Sequence, residues 1–156
     1  MVMTPSLRRL LASNASAAVL LIRFLVGAVF VSEGIQKFLF PADLGVGRCT
    51  QIGLPSPGVL APFVGVVEIV GGLLLLLGLL TRLAAITLII DMLVAIVTTK
   101  IPMLLHHGVW KMAHEARPDW SMLLGALFLL LVGAGAWSLD ALLTRARTGG
   151  HAQERS

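Results

Sequence analysis

Four runs of about twenty mostly apolar residues, roughly 18–38, 60–80, 83–101 and 122–139, leave this chain few folds to choose from. A helix needs about 20 such residues to cross the hydrocarbon layer of a bilayer. Inside that layer each backbone N–H and C=O must find its partner within the protein, which favours helices over isolated strands. The totals agree: 57% of the 156 residues are hydrophobic and 13% are charged, roughly half the charge of an ordinary soluble domain. The mean hydropathy is +0.93. The expectation is an all-α polytopic membrane protein, a four-helix transmembrane bundle forming one domain over 18–143. An N-terminal cytoplasmic segment (1–17) precedes it, and a disordered polar tail (144–156), "TRARTGGHAQERS", follows.

The second and third runs are separated by little more than Thr81 and Arg82, so they predict a tight antiparallel hairpin. The stretch "FPADLGVGRCTQIGLPSPG" is rich in glycine and proline and reads as irregular. Between the third and fourth runs, "PMLLHHGVWKMAHEARPDW" mixes apolar, aromatic and basic residues, as a short amphipathic segment at the membrane surface does. Arg8 and Arg9 precede the first run as in a signal peptide, but Arg23 interrupts it and "EGIQKF" follows in place of small cleavage-site residues, so a retained helix is expected. Six basic residues (Arg8, Arg9, Arg82, Arg145, Arg147 and Arg155) fall on one side, against Arg48, Lys111, Arg117, Lys37 and Lys100 on the other. The bias, carried by the basic tails, places both termini in the cytoplasm of a multi-pass cell-membrane protein.

Charges within apolar spans usually face the bundle interior or a wet cavity. Here they are Arg23, Glu33 and Lys37 in the first span, Glu68 in the second, and Asp91 and Lys100 in the third. At about 100° per residue, Arg23, Gly27, Phe30, Gly34 and Lys37 line one stripe with Glu33 beside it, and Gly65, Glu68 and Gly72 share a face of the second helix. Glycines on facing stripes let two backbones approach closely, so Gly27, Gly34, Gly65 and Gly72 are expected to pack the first two helices together. Between them would lie a polar pocket for a ligand or proton, built from Arg23, Glu33, Lys37, Glu68 and Asp91, with Glu33 and Glu68 as the candidate catalytic acids. Arg23, a counter-ion in this reading, reaches toward Glu68 or Asp91. The alternative is structural: such a pair fixes helix register, Lys37 and Lys100 snorkel to the headgroups, and Asp91 bonds to Thr87 or a neighbouring helix.

Cys49 is the only cysteine, which excludes an intramolecular disulfide and a cysteine-based metal site. His106, His107 and His114 lack the HxxxH or HExxH spacing, and no metal is expected. No basic cluster is interleaved with aromatics, so the net charge of +4 does not point to nucleic acid. Nucleotide loops, the GxSxG elbow and dinucleotide fingerprints are absent.

The segments "LIRFLVGAVFVSEGIQKF", "IGLPSPGVLAPFVGVVEIVGGLLLLLGLLTRLAA" and "GAGAWSLDALL" together resemble the DoxX family of bacterial membrane proteins over about residues 18–143. The resemblance rests on Glu-Gly-x-x-Lys at 33–37, Glu-x-x-Gly-Gly at 68–72, Gly-Leu-x-Thr-Arg at 78–82 and Ser138-Leu139-Asp140. It implies a four-helix membrane protein associated with redox chemistry. Some members are linked to quinone-coupled oxidation of sulfur compounds, others to complexes that counter oxidative and thiol stress. Related four-helix thiol oxidoreductases carry paired cysteines, which this chain lacks. The reading is therefore a subunit or accessory of a quinone-linked oxidoreductase or thiol-stress system, without a complete catalytic constellation of its own. Quinone is the cofactor it points to; the lipid bilayer, redox enzymes and further copies of the chain are the partners. The alternatives are a non-catalytic scaffold that recruits redox enzymes, and a small oligomeric proton-linked transporter.

Overall fold

A computed structural model describes residues 17–153, and the described residues contain helices and no strand. The elements are α1 (Val19–Leu39), α2 (Val46–Gln51), α3 (Pro57–Leu77), α4 (Thr81–Ala95), a π-helical turn (Ile96–Lys100), α5 (Ile101–His107), α6 (Val109–Glu115), α7 (Arg117–Val132) and α8 (Leu139–Gln153). Among the described residues, three helices are long and apolar enough to cross a membrane: α1, α3, and the continuous 27-residue run Thr81–His107. The expected N-terminal segment lies outside the described residues but for its last position.

The first two spans are built by glycine. The buried stripe of α1 is Val19, Arg23, Val26, Gly27, Phe30 and Gly34; that of α3 is Ala61, Gly65, Glu68, Gly71, Gly72 and Leu75. These stripes meet in antiparallel register, Gly27 opposite Gly72 and Gly34 opposite Gly65. A methyl group on Gly27 would stand 2.8 Å from the Gly72 carbonyl oxygen, and one on Gly34 would stand 2.6 Å from that of Gly65. Nothing larger than hydrogen fits between the backbones. Elsewhere the surface is strongly apolar, with Leu21 (72% exposed), Phe24 and Phe63 all pointing outward. In water such a face is a liability; in a bilayer it meets acyl chains.

The last spans depart from the apolar pattern. The third helix does not stop at 101 but runs on to His107, and a π-helical turn interrupts it at Ile96–Lys100. Pro102 supplies the reason: it offers no N–H to the carbonyl of Thr98, and its ring crowds that oxygen. The preceding turn widens, and Ile101 N–H bonds to Ile96 O instead. The fourth helix was expected over 122–139, yet α7 starts at Arg117 and ends at Val132. Pro118 and Asp119 favour a helix start there, and Gly133 (φ 88°) and Gly135 (φ 80°) turn the chain out of it. With 16 residues, α7 spans about 24 Å, and residues 133–138 after it are irregular. The expected disordered tail is also corrected: α8 carries the backbone helically from Leu139 to Gln153, and only 154–156 lie beyond the described residues. Between α5 and α7 the chain forms the short helix α6, with Trp110 88% exposed.

Candidate functional site: a charged cavity between four helices

A cavity of about 400 Å³ lies among α1, α3, α4 and α7, roofed by α2. Its walls are largely apolar, including Val29, Leu60, Val64, Met92 and Met122, while Lys37, Glu68 and Asp91 supply charge toward its inner end and Glu33 at its edge. Arg48, Cys49, Lys100 and Asp119 lie toward the end where α2 and the start of α7 sit.

Helix geometry brings Lys37 to Glu68. Given the Gly34–Gly65 register, their Cα atoms are offset along the bundle by about six residues, or roughly 9 Å. Side chains on a helix lean toward its N-terminus. Because α1 and α3 are antiparallel, Lys37 leans inward and Glu68 leans to meet it, and Lys37 Nζ stands 2.5 Å from Glu68 Oε2. Glu68 is 3% exposed. Asp91 faces both groups from α4, and its Oδ2 is buried with no hydrogen-bond partner among the described residues. Glu33 lines the same cavity but is exposed. On the outer side Lys100 Nζ pairs with Asp119 Oδ2 at 3.2 Å and donates to the Glu115 carbonyl at 3.2 Å, tying the widened turn to the start of α7. The hydroxyls of Thr98 and Thr99 bond back to the Val94 and Ala95 carbonyls (2.8 and 2.7 Å) within that turn.

Arg23 does not belong to this cavity, and the sequence-based placement is corrected here. The lean that carries Lys37 inward carries Arg23 outward, because Arg23 sits in the first turns of the same helix. Arg23 is 2% exposed, and its guanidinium donates to Leu75 O (2.9 Å), Leu76 O (2.8 Å), Ala134 O (2.9 Å) and Trp137 O (2.6 Å). It thus ties the open carbonyls at the end of α3 to the irregular segment after α7. Its counter-charge is Asp140. The Asp140 carboxylate accepts from Leu80 N–H (2.8 Å) and Thr81 N–H (3.1 Å), capping the start of α4 from another helix. Asp140 N–H also donates to Gly78 O at 2.9 Å. Gly78 (φ 65°) has no room for a side chain: an added Cβ would lie 2.6 Å from both Arg23 Cζ and Ser138 Cβ. The Gly78–Arg82 and Ser138–Asp140 motifs therefore form one structural knot.

Sequence reasoning did not identify Asp119 or Asp140 as pairing partners. Asp119 was detectable, since Pro-Asp marks a helix start; Asp140 was marked by the Ser138-Leu139-Asp140 motif, but nothing local names its partners about sixty positions away. His107 and His114 sit on different helices, and His114 Nε2 lies 2.8 Å from Arg117 Nη2. No grouping of three metal-ligating side chains occurs among the described residues.

Glycine-seamed apolar helices around a charged cavity define a polytopic helical membrane protein. The chain belongs to the DoxX family, whose model, described as DoxX, matches residues 18–101. It is 53% identical over 150 residues to "Uncharacterized membrane protein Rv3486" of Mycobacterium tuberculosis, an alignment covering 92% of each chain. A more distant relative is "Putative oxidoreductase CatD" of Bacillus subtilis, 28% identical over 132 residues, covering 85% of this chain and 91% of that protein. No solved structure matches.

Proposed function

We propose that this DoxX protein is a subunit or accessory of a membrane-bound oxidoreductase, and that its cavity seats the head of a neutral lipophilic carrier of the quinone class. The observation that carries this reading is the Lys37–Glu68 pair with Asp91 at the inner end of an apolar-walled cavity. About 400 Å³ falls within the range of small-molecule sites. The apolar walls suit a ring, and Lys37 Nζ can donate to a carbonyl oxygen.

A bound quinone would supply the two-electron acceptor; the chain's residues bind, orient and hold protons. Lys37 offsets one of the two inner carboxylates, so charge balance at Glu68 and Asp91 favours one proton between them. That proton sits within reach of an oxygen placed against Lys37, the arrangement general acid catalysis requires. Glu33, exposed at the cavity edge, is positioned to relay protons to the pair. The distant relationship to a protein named as an oxidoreductase supports the redox class. Both termini are assigned to the cytoplasm, with α2 and α6 on the opposite face.

The test is titration of the purified protein with a short-chain, water-soluble quinone, comparing the parent with Glu68→Gln and Glu33→Gln. Weakened binding in both variants, with intact folding, is expected. Unchanged affinity in both refutes the cavity reading and leaves the role of a membrane platform for redox enzymes, which pull-downs from membranes test directly.

A further inference from the structure

We infer that the carboxylates at the inner end of the cavity exchange protons with one face of the membrane only, the face carrying α2 and α6. This deepens the proposed function and rests on its reading of Glu68 and Asp91 as proton-holding groups.

Every charged group facing the pair lies on that side or level with it: Glu33 and Lys37 on α1, Arg48 on α2, Lys100 beyond α4, and Asp119 on α7. In the other direction the bundle closes. Val26, Phe30, Leu75, Leu88, Ala126 and Leu129, drawn from all four helices, are each at most 1% exposed. From Glu68 to Leu75 this layer is about 10 Å deep. It contains no titratable side chain: residues 24–32, 69–77, 83–90 and 120–132 hold none. Apolar interiors of this kind stay dry, so no hydrogen-bonded chain crosses.

Beyond the layer stand Arg23 and Asp140, whose hydrogen bonds are committed to backbone groups. They form a fixed clamp and offer the cavity no further relay. The chain therefore works as a one-sided proton vestibule. Protons used or released by chemistry in the cavity enter and leave at the α2/α6 face. Moving a proton across the membrane would need a path outside this single chain.

The experiment uses the full chain in sealed vesicles with inner and outer pH set separately. Orientation is established by labelling Trp110→Cys, in a Cys49→Ser background, with a membrane-impermeant maleimide. Dicyclohexylcarbodiimide, which crosses membranes and modifies protonated carboxyls, is then applied, and the Glu68 and Asp91 peptides are quantified by mass spectrometry. Modification is expected to follow the pH on the α6 side, changing up to about tenfold per pH unit, and to ignore the other side. Equal response to both sides, or response to the opposite side alone, overturns the sealed layer while leaving quinone binding intact. Absence of modification at every pH overturns the proton role, and with it this inference; the quinone titration then decides separately whether the cavity binds a ligand.

Discussion

Replacing Asp140 with alanine removes a carboxylate that holds the start of α4 from sixty residues away. Two backbone donors lose their acceptor, Leu80 N–H at 2.8 Å and Thr81 N–H at 3.1 Å. Both are at the first turn of α4, where no carbonyl within the helix can replace it. A hydrogen bond to a charged group contributes about 1.5–3 kcal/mol, so the pair amounts to roughly 3–6 kcal/mol. Leu80 is also held in the left-handed region (φ 48°), which costs an L-residue about 1–2 kcal/mol and persists because Asp140 anchors its N–H. Arg23 loses its counter-charge in the same change. Asp140→Asn keeps one acceptor oxygen without the charge, and a loss of roughly 2–3 kcal/mol is expected. The assay is thermal unfolding in detergent, combined with amide hydrogen exchange read at Leu80 and Thr81. A melting temperature lowered by on the order of 10 °C is expected for Asp140→Ala, about half that for Asp140→Asn, with faster exchange at both amides. An alanine variant within about 0.5 kcal/mol of the parent, with both amides still protected, refutes the cap.

Three further outcomes follow from the geometry. Gly34→Ala and Gly72→Ala drive a methyl group into a facing backbone and are expected to lower stability by about 1–3 kcal/mol each. Gly58→Ala, where an added Cβ meets nothing within 4 Å, is expected to be neutral or slightly stabilising, and comparative melting separates the two classes. Glu68→Leu removes the carboxylate paired with Lys37 and leaves Asp91 as its counter-charge, so a loss of about 1.5–3 kcal/mol is expected, much of it recovered in Lys37→Met/Glu68→Leu; additive losses in the double-mutant cycle would rule out the pair. Pro102→Ala restores the missing N–H, so the turn at Ile96–Lys100 is expected to relax toward α-helix. Slower amide exchange over 96–102 reports that change, and an unaltered exchange pattern counts against proline as the cause of the widening.

The membrane class, the positions of the first two spans and the glycine stripes were all legible in the sequence. Each depends on a local quantity: apolar run length, or which residues share a helix face at about 100° per residue. The gathering of Glu33, Lys37, Glu68 and Asp91 around one cavity was partly legible, because stripes of charge and glycine on two helices point inward together. Helix ends were harder to place. Residues 122–139 are apolar but for Ser138, yet the backbone leaves the helix at Gly133, since hydropathy measures transfer to lipid and carries no information about φ.

What the tertiary structure alone decided is the division of the charges into two sites. Arg23 and Lys37 lie on one stripe of α1, and hydropathy treats them alike. The antiparallel register set by the glycine pairs, with the lean of side chains toward each helix's N-terminus, sends Lys37 to Glu68 and Arg23 to the far end. There Arg23 meets carbonyls freed at the end of α3 and after Val132, along with Asp140 from α8. The carbonyls among those partners come from positions up to 114 residues away in sequence. A pattern along the chain specifies which faces are buried; which buried groups meet depends on how the helices are aligned against one another.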